Sequence, residues 1–274
     1  MTNKAVFLGS SPLNTQSKAV SGAYVERNGE AFYKIENFSD MSDFFISVVS
    51  DSNHWLFIST RGGLTAGRTD CDSALFPYYT EDKIRDHSDH TGSRTLALVD
   101  MGNKCVLWEP FSTVHAGVYT LQRNLYKKVL GDKLVFEETN IDLGLRFSYT
   151  LATSDRYGFV KHSSLENIGD HDRHVELLDG IENLLPYGVL AGTQNELSCL
   201  VDAYKKNERV ADSVLAIYCM SSILSDRAEP SEALSATTVW SYGATHPQYL
   251  AMHSYDNFEQ LATLHHHLDT LKSF

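Results

Sequence analysis

The chain has 274 residues, a hydrophobic content of 42% and a formal net charge of −12 at pH 7. A chain of this length can bury a sizeable core without disulfides or metals. Binding to nucleic acid requires a basic surface that displaces counterions, so the acidic charge argues against that class of function. Nor does any stretch approach the roughly 20 apolar residues of a membrane span. We therefore expect neither a nucleic-acid partner nor a membrane partner.

The cysteines and the N-terminus bear on the compartment. The four cysteines are widely spaced and form no Cys-x-x-Cys pair: Cys71, Cys105, Cys199 and Cys219. This pattern predicts reduced thiols in an intracellular protein. The segment from Met1 to Asn14 has no apolar core of the kind that secretory signal peptides carry. Together these features predict a cytoplasmic protein.

The first two thirds of the chain predict strands and turns. A hairpin is predicted from Tyr24 to Tyr33, because Asn28-Gly29 supplies the positive φ angles of a tight type I′ turn. Further runs of β-forming residues follow at 44–49, 54–60, 96–99, 104–108, 118–126, 134–139, 143–151, 157–165 and 174–179. Many strands at short spacing, with little helix between them, indicate an all-β sandwich.

Two later segments show helical spacing instead. The segment 195–209 has apolar residues at Leu197, Leu200, Val201 and Tyr204. The segment 256–271 carries one apolar stripe formed by Phe258, Leu261, Leu264, Leu268 and Leu271. Asp256 precedes Glu259 by three residues, as in a capping box. We predict a helix in each segment.

A long polar stretch between Arg61 and Gly92 predicts a functional loop. It contains many ionisable residues, and burying each unpaired one would cost several kcal/mol. Its aromatic residues argue against disorder, so we expect an ordered rim near solvent and not a part of the sandwich core. Within it, Gly62-Gly63 lacks the Gly-x-x-x-x-Gly-Lys pattern of phosphate-binding loops and is interpreted as a hairpin bend.

Candidate sugar contacts follow from the shape of sugars. Sugar rings present apolar C–H faces that stack on aromatic side chains, and their hydroxyls are left to polar residues. The polar loop combines both kinds of side chain, and Trp108 lies nearby in sequence. The candidate carbohydrate-binding residues are Arg61, Arg68, Tyr78, Tyr79, Asp86, His90 and Trp108.

We assign no catalytic residue and no metal or cofactor from the sequence. Glycosidic chemistry needs two carboxyl groups that flank the sugar, and sequence spacing does not show which carboxylates converge. The carboxylates considered are Asp70, Asp72, Glu109, Glu137, Glu138, Glu176, Asp179 and Glu182. Histidine pairs at 87/90 and 171/174 supply fewer than the three or four converging ligands that zinc requires.

An ordered series of motifs runs through residues 22–187. It comprises Gly62-Gly63-Leu64-Thr65, Arg68, Tyr78-Tyr79, Leu96-Ala97-Leu98-Val99-Asp100, Trp108-Glu109-Pro110, His115-Ala116-Gly117-Val118-Tyr119-Thr120 and Phe136-Glu137-Glu138-Thr139. This order resembles the N-terminal domain of glycoside hydrolase family 94, the cellobiose and chitobiose phosphorylases. Ala116 departs from the family pattern, because it replaces the glycine of a His-Gly element.

The resemblance implies a fold and a function. The fold would be an antiparallel two-sheet β-supersandwich of the galactose-mutarotase type over residues 1–253, with a short linker helix beginning in 254–274. In the family, an (α/α)6 barrel follows this domain and carries the general acid and the phosphate site. The resemblance therefore implies a carbohydrate-associated domain that is not catalytic alone. Its parent would be a glycoside phosphorylase or hydrolase with the barrel in the same chain.

Two alternatives stay open. The segment His162-Ser163-Ser164-Leu165-Glu166-Asn167 is similar to a strand of the aldose 1-epimerases, which use a histidine acid and a glutamate base. That similarity implies a stand-alone mutarotase. The other alternative is an assembly module that forms a homodimer and binds no sugar.

Overall fold

The computed structural model describes residues 5–77, 84, 88, 91–213, 215–222 and 235–243. It is mainly β, with 50% strand, 10% helix and several antiparallel sheets. The predicted fold class, an antiparallel β-sandwich, is confirmed. The predicted helix at 256–271, and with it the linker at 254–274, lies outside the described residues and stays a prediction.

The described part of the chain contains seventeen strands. They are β1 Phe7–Leu8, β2 Ser11–Pro12, β3 Ser21–Arg27, β4 Glu30–Glu36, β5 Phe45–Val48, β6 His54–Ser59, β7 Leu64–Arg68, β8 Gly92–Asp100, β9 Cys105–Trp108, β10 Leu121–Lys128, β11 Lys133–Asn140, β12 Leu145–Ser154, β13 Gly158–Asn167, β14 Val175–Glu182, β15 Lys205–Arg209, β16 Leu215–Met220 and β17 Thr237–Trp240. The two α-helices are α1 Ala191–Glu196 and α2 Ser198–Tyr204, and short 3₁₀ turns occupy Phe38–Asp40, Cys71–Ser73 and Ala116–Val118.

The chain divides into two compact units. The first comprises Met1–Gly63 and Ser93–Gly180, and the second comprises Leu64–Gly92 and Ile181–Phe274. The first unit contains a six-stranded sheet of order β13-β12-β11-β10-β4-β3 and a three-stranded sheet of order β14-β8-β9. Strands β5 and β6 form a further antiparallel pair in this unit.

The predicted hairpin at Asn28-Gly29 is confirmed as β3 and β4. Asn28 has a φ of 52° and Gly29 a φ of 77°, so both central residues are left-handed as a type I′ turn requires. The two-residue turn sets the register and places Tyr24 directly opposite Tyr33.

The inner face of the six-stranded sheet carries the core of the first unit. Since side chains alternate between the two faces of a strand, the cross-strand register assigns every second residue to this face. The buried residues there are Arg123, Leu125, Leu134, Phe136, Glu138, Asn140, Leu145, Phe147, Tyr149 and Leu151. Strand β11 is buried on both faces from Leu134 to Asn140, which makes it the most deeply enclosed strand of this sheet.

The segment after β9 packs onto this inner face. The Phe111 ring contacts three rings of the sheet edge to face, with centroids 6.0 Å from Phe136, 6.3 Å from Phe147 and 5.3 Å from Tyr149. Phe111 has a φ of 66°, a left-handed conformation that costs energy for a side chain of this size. The ring contacts and the buried polar bonds described below hold it there.

The second unit corrects one helix prediction. The segment predicted as one helix, 195–209, is helical only to Tyr204, and Lys205–Arg209 is a strand that pairs antiparallel with β16. Pairing with a neighbouring strand outweighs the local spacing of apolar residues. Val201 packs with Val189 and Met220 in a small buried cluster, so one position of the predicted apolar stripe does face a core.

Two further findings concern the whole described chain. Cys71, Cys105 and Cys219 are free thiols. Among the residues that the structure describes, no helix has the length and apolar character to cross a membrane.

Candidate functional site

The predicted sugar contacts fall in different surroundings. Tyr78, Tyr79, Asp86 and His90 lie outside the described residues, and that part of the predicted loop stays a prediction. Its first part was wrongly predicted as a loop, because Leu64–Arg68 is strand β7 and its first four residues are buried. Arg61 is half exposed and forms an ion pair with Asp43. It lies in the turn between β6 and β7, where Gly62 has a φ of 92° and the Ser59 amide donates to the Gly63 carbonyl at 2.9 Å. The interpretation of Gly62-Gly63 as a bend is confirmed. Arg68 ends β7 and is exposed.

Trp108 lies in the core rather than on the surface. Its residue exposure is 1%, and its indole N–H donates to Oε1 of Glu138 at 2.7 Å. Oε2 of Glu138 accepts from the Phe111 amide at 2.8 Å and from Nε of Arg123 at 2.6 Å. With its ring covered, Trp108 anchors the segment after β9 and offers no open face to a ligand in this conformation.

Glu109 provides a second carboxylate that holds the segment after β9. Oε1 of Glu109 accepts from Arg94 at 3.2 Å, and its Oε2 lies 3.0 Å from Nδ1 of His115. The His115 amide also donates to the Ser112 hydroxyl at 3.2 Å. The histidine of the His-Ala-Gly motif is therefore oriented by a carboxylate that an arginine in turn fixes, and the loop from 109 to 115 is ordered around that carboxylate.

Glu137 points to the opposite, outer face of the six-stranded sheet. It accepts from Asn124 at 3.1 Å, from the Tyr126 hydroxyl at 2.7 Å and from Arg27 at 3.1 Å. Burial alone would raise the pKa of Glu137, but these hydrogen bonds and the charge of Arg27 outweigh it and leave the pKa below its ordinary value. Burial and the neighbouring Glu137 raise the pKa of Tyr126. Glu137 is thus an ionised carboxylate whose oxygens accept hydrogen bonds from three protein side chains.

A buried lysine forms the next polar cluster. Nζ of Lys161 lies 2.6 Å from Asp179 and donates to the Gly180 carbonyl at 2.9 Å, while the Thr95 hydroxyl donates to Asp179 at 2.6 Å. Burial lowers the pKa of Lys161, although Asp179 acts in the opposite direction. The lysine lies on β13 and the aspartate on β14, so this pair joins the two sheets of the first unit.

Hydrogen bonds to protein groups limit the chemistry that four of the eight considered carboxylates can carry out. Glu109, Glu137, Glu138 and Asp179 each accept two or more hydrogen bonds from protein groups. None of them resembles one of two free carboxyl groups facing each other across a sugar. In the described part of the chain, no three His, Cys, Asp or Glu side chains converge as metal ligands would.

The epimerase-like segment is β13. His162 and Glu166 are both exposed on the outer face of the sheet, four residues and therefore about 13 Å apart along the strand. Glu166 forms an ion pair with Arg146 at 2.9 Å. These two side chains are too far apart to act on opposite sides of one sugar ring.

Two open clefts lie in the first unit. The larger, with a volume of about 400 Å³, lies beside the β8–β9 turn and is lined by Leu98, Asp100, Gly102, Asn103, Lys104, Cys105, His174 and Glu176. It contains no tyrosine, phenylalanine or tryptophan and so offers no large ring to a sugar. The smaller, with a volume of about 270 Å³, is lined by Tyr24, Tyr33, Ile35, Phe44, Ile46, Leu125, Lys127, Lys128, Val129 and Leu134. We call this second cleft the tyrosine cleft.

The tyrosine cleft is built on one cross-strand row of the six-stranded sheet. Tyr24 on β3 is opposite Tyr33 on β4, Tyr33 is opposite Lys127 on β10, and Lys127 is opposite Leu134 on β11. Directly opposed residues project to the same face with Cβ atoms about 4.5–5.5 Å apart. The row therefore runs from an exposed tyrosine at the sheet edge, past a second tyrosine and a lysine, to a fully buried leucine.

The two tyrosines form an exposed aromatic pair. Their ring centroids are 5.1 Å apart with an interplanar angle of 70°. Tyr24 is 76% exposed and Tyr33 is 41% exposed, whereas aromatic side chains of this size usually bury most of their area. The Tyr33 ring leans across β3 above Gly22, where a Cβ would overlap its hydroxyl. Gly22 thereby gives Tyr33 the space to occupy this position.

The floor and the rim of the cleft differ in chemistry. The floor is apolar, since Ile46, Leu125 and Leu134 are buried beneath it. The polar groups on the rim are the tyrosine hydroxyls and the ammonium group of Lys127. Lys128 also borders the cleft, but it lies opposite Phe32, so its side chain projects to the other face of the sheet. An apolar floor with a few polar groups is typical of small-molecule sites, and the volume lies just below the range of about 300–1,000 Å³ for drug-sized ligands.

Sequence reasoning missed this pair, although the sequence contains the signal for it. In a two-residue hairpin, residues equally distant from the turn face each other, and Tyr24 and Tyr33 both lie four positions from Asn28-Gly29. An aromatic pair at opposed positions on a hairpin indicates a shared surface. Its exposure, however, depends on which strand forms the sheet edge, and the hairpin alone does not show that.

Comparison with known proteins adds no relative. No protein-family model matches the sequence, and no curated protein matches it either. The resemblance to glycoside hydrolase family 94 therefore depends on the order of motifs alone.

Proposed function

We propose that this chain is a carbohydrate-binding β-sandwich domain whose sugar site is the tyrosine cleft. The observation that carries the proposal is the exposed Tyr24–Tyr33 pair above an apolar floor. Exposed aromatic rings keep apolar area in contact with water, which is unfavourable, and they contribute little to packing. A ligand that covers them would recover that free energy, and the C–H faces of a sugar ring have a suitable shape.

The polar rim supports a sugar rather than a purely apolar ligand. Two phenolic hydroxyls and the Lys127 ammonium group border a cleft whose floor is aliphatic. A sugar hydroxyl can accept from the ammonium group and can either donate to or accept from each phenol. Stacking on the rings and hydrogen bonding at the rim would then act on the same ring of the ligand.

The proposed activity is binding without catalysis. The residues that line the tyrosine cleft include no aspartate or glutamate, whereas most glycoside hydrolases act through a pair of carboxyl groups. The order of motifs adds the expectation that the domain serves a phosphorylase or hydrolase whose (α/α)6 barrel carries out the chemistry. In that arrangement the cleft would hold the saccharide while the barrel acts on it.

A binding screen on the purified chain tests the proposal. Titration calorimetry against saccharides that are positive on a glycan array should show binding, and Tyr24→Ala should weaken it by about tenfold, or 1.4 kcal/mol. Tyr242→Ala is the matched control, because Tyr242 is 86% exposed and lies in the second unit. If both variants bound the saccharide with equal affinity, the binding site would lie outside the tyrosine cleft. A chain that binds no glycan, but self-associates through Tyr24, would instead be the assembly module.

A further inference from the structure

We infer that the tyrosine cleft selects saccharides that carry an anionic group, either a carboxylate or a phosphate, on the ring that the tyrosines hold. This inference rests on the proposed function, because it concerns the ligand of the same cleft. It starts from the two lysines that border the cleft, which have different surroundings.

Lys128 already has acidic partners, whereas Lys127 has none among the described residues. Nζ of Lys128 lies 2.9 Å from Glu30 and 2.9 Å from Asp132, so protein carboxylates neutralise its charge. Lys127 forms no ion pair with any residue that the structure describes. In a chain with a net charge of −12, a partly buried lysine without a carboxylate partner leaves a local positive site.

The cross-strand row fixes where this charge lies. Lys127 is the neighbour of Tyr33 in the row that begins at Tyr24, and the buried Leu134 closes the row on its other side. The lysine stem passes beside Gly131, where a Cβ would lie 3.9 Å from Cε. A ring stacked on the tyrosines would therefore have Lys127 as its neighbour in the row and could present one of its substituents to the ammonium group.

No acidic side chain in the cleft opposes this selection. The residues that line the cleft include Lys127 and no aspartate or glutamate, so an anionic substituent meets no like charge at contact distance. The acidic remainder of the chain repels anions only over longer distances, and salt screens that repulsion beyond about 8 Å at physiological ionic strength. The nearby ammonium group thus determines that the cleft prefers an anionic sugar ring to a neutral one.

Glucose, glucuronic acid and glucose 6-phosphate test the inference at matched ionic strength. We expect both anionic sugars to bind five- to tenfold more tightly than glucose, about the effect of one partly screened charge pair. Lys127→Met should abolish this difference by weakening the two anionic sugars more than glucose, while Lys127→Arg should preserve it. Lys104→Met is the control, because it changes the net charge equally at an exposed turn outside the cleft. The two anionic arms show whether the site takes a carboxylate, a phosphate or both.

The outcomes separate this inference from the proposed function. If glucose and the anionic sugars bind equally and Tyr24→Ala weakens all three, the cleft binds sugars but does not select charge, and the inference is wrong. If Lys104→Met removes the preference as well as Lys127→Met, the effect belongs to net charge and the inference is also wrong. If none of the three sugars binds, the inference is wrong, while the proposed site still stands or falls with the effect of Tyr24→Ala on an array-positive saccharide.

Discussion

Two pairs of aromatic rings on one face of the six-stranded sheet have nearly the same spacing and different surroundings. Phe136 and Tyr149 are opposed on β11 and β12, stack with centroids 5.0 Å apart and are buried. Tyr24 and Tyr33 are opposed on β3 and β4, meet edge to face at 5.1 Å and are exposed. The difference lies in what covers them, because the segment after β9 packs its Phe111 ring onto the first pair.

This comparison shows how one face serves two purposes. Where other elements cover the sheet, a ring contributes to the free energy of folding through its buried area. At the open edge the same kind of ring contributes little to folding, and its area remains available to a ligand. The covered region should therefore respond to mutation through stability, and the open region through binding.

The largest expected effect is the contrast between the two ring pairs. Phe136→Ala should lower the free energy of unfolding by about 3–5 kcal/mol, because it leaves a cavity among buried rings. Tyr33→Ala should lower it by less than about 1 kcal/mol, since much of that ring already faces solvent. Urea unfolding of both variants provides the measurement. Similar losses would mean that the open pair is part of the core, and the division between the two regions would have to be abandoned.

A smaller effect is expected at the buried carboxylate of the covered region. Glu138→Gln should cost about 2–3 kcal/mol, because the amide offers one acceptor oxygen where Trp108, Phe111 and Arg123 present three donors. Glu26→Gln is a suitable control, because Glu26 is an exposed carboxyl residue on β3. A Glu138→Gln protein as stable as the control variant would show that this network is not needed to hold the segment after β9.

The smallest effect on stability is expected at Gly22. Gly22→Ala places a methyl group where the Tyr33 hydroxyl lies, so the ring must move although Tyr24 is unchanged. We expect the free energy of unfolding to change by less than about 1 kcal/mol, while the Tyr33 ring resonances shift in an NMR spectrum and saccharide affinity falls. Unchanged ring resonances in Gly22→Ala would show that Tyr33 does not depend on the space above Gly22.

Local patterns predicted much of the fold. Asn28-Gly29 was sufficient to place the β3–β4 hairpin, and runs of β-forming residues located β5, β6 and the strands from β8 to β14 to within a few residues at most ends. Strand β7 was missed, because it lies in the stretch that was predicted as a polar loop. The helix expected at 195–209 extended too far, because the spacing of Leu197, Leu200 and Val201 does not reveal that Lys205–Arg209 pairs with β16. Local spacing indicates which elements can form, and pairing between distant segments decides which of them do form.

The candidate site was harder to predict for the same reason. Trp108 was considered as a surface contact, but its burial depends on Glu138, thirty positions later in the chain. The exposure of Tyr24 depends on β3 having a single neighbour in the order of the sheet. Both facts concern contacts that are distant in sequence, so neither can be read from the residues around the tryptophan or the tyrosine.

Among the strands that the structure describes, β3 lies at the end of its sheet, and this position also has a kinetic consequence. An edge strand lacks hydrogen-bonded neighbours on one side, so local opening requires less free energy there than in the enclosed strand β11. A ligand that contacts both Tyr24 and Tyr33 would bind the closed hairpin in preference to the open one and slow that opening in proportion to its occupancy. Amide hydrogen exchange in β3 and β4 would then report ligand binding directly, while exchange in β11 would remain at the rate set by global unfolding.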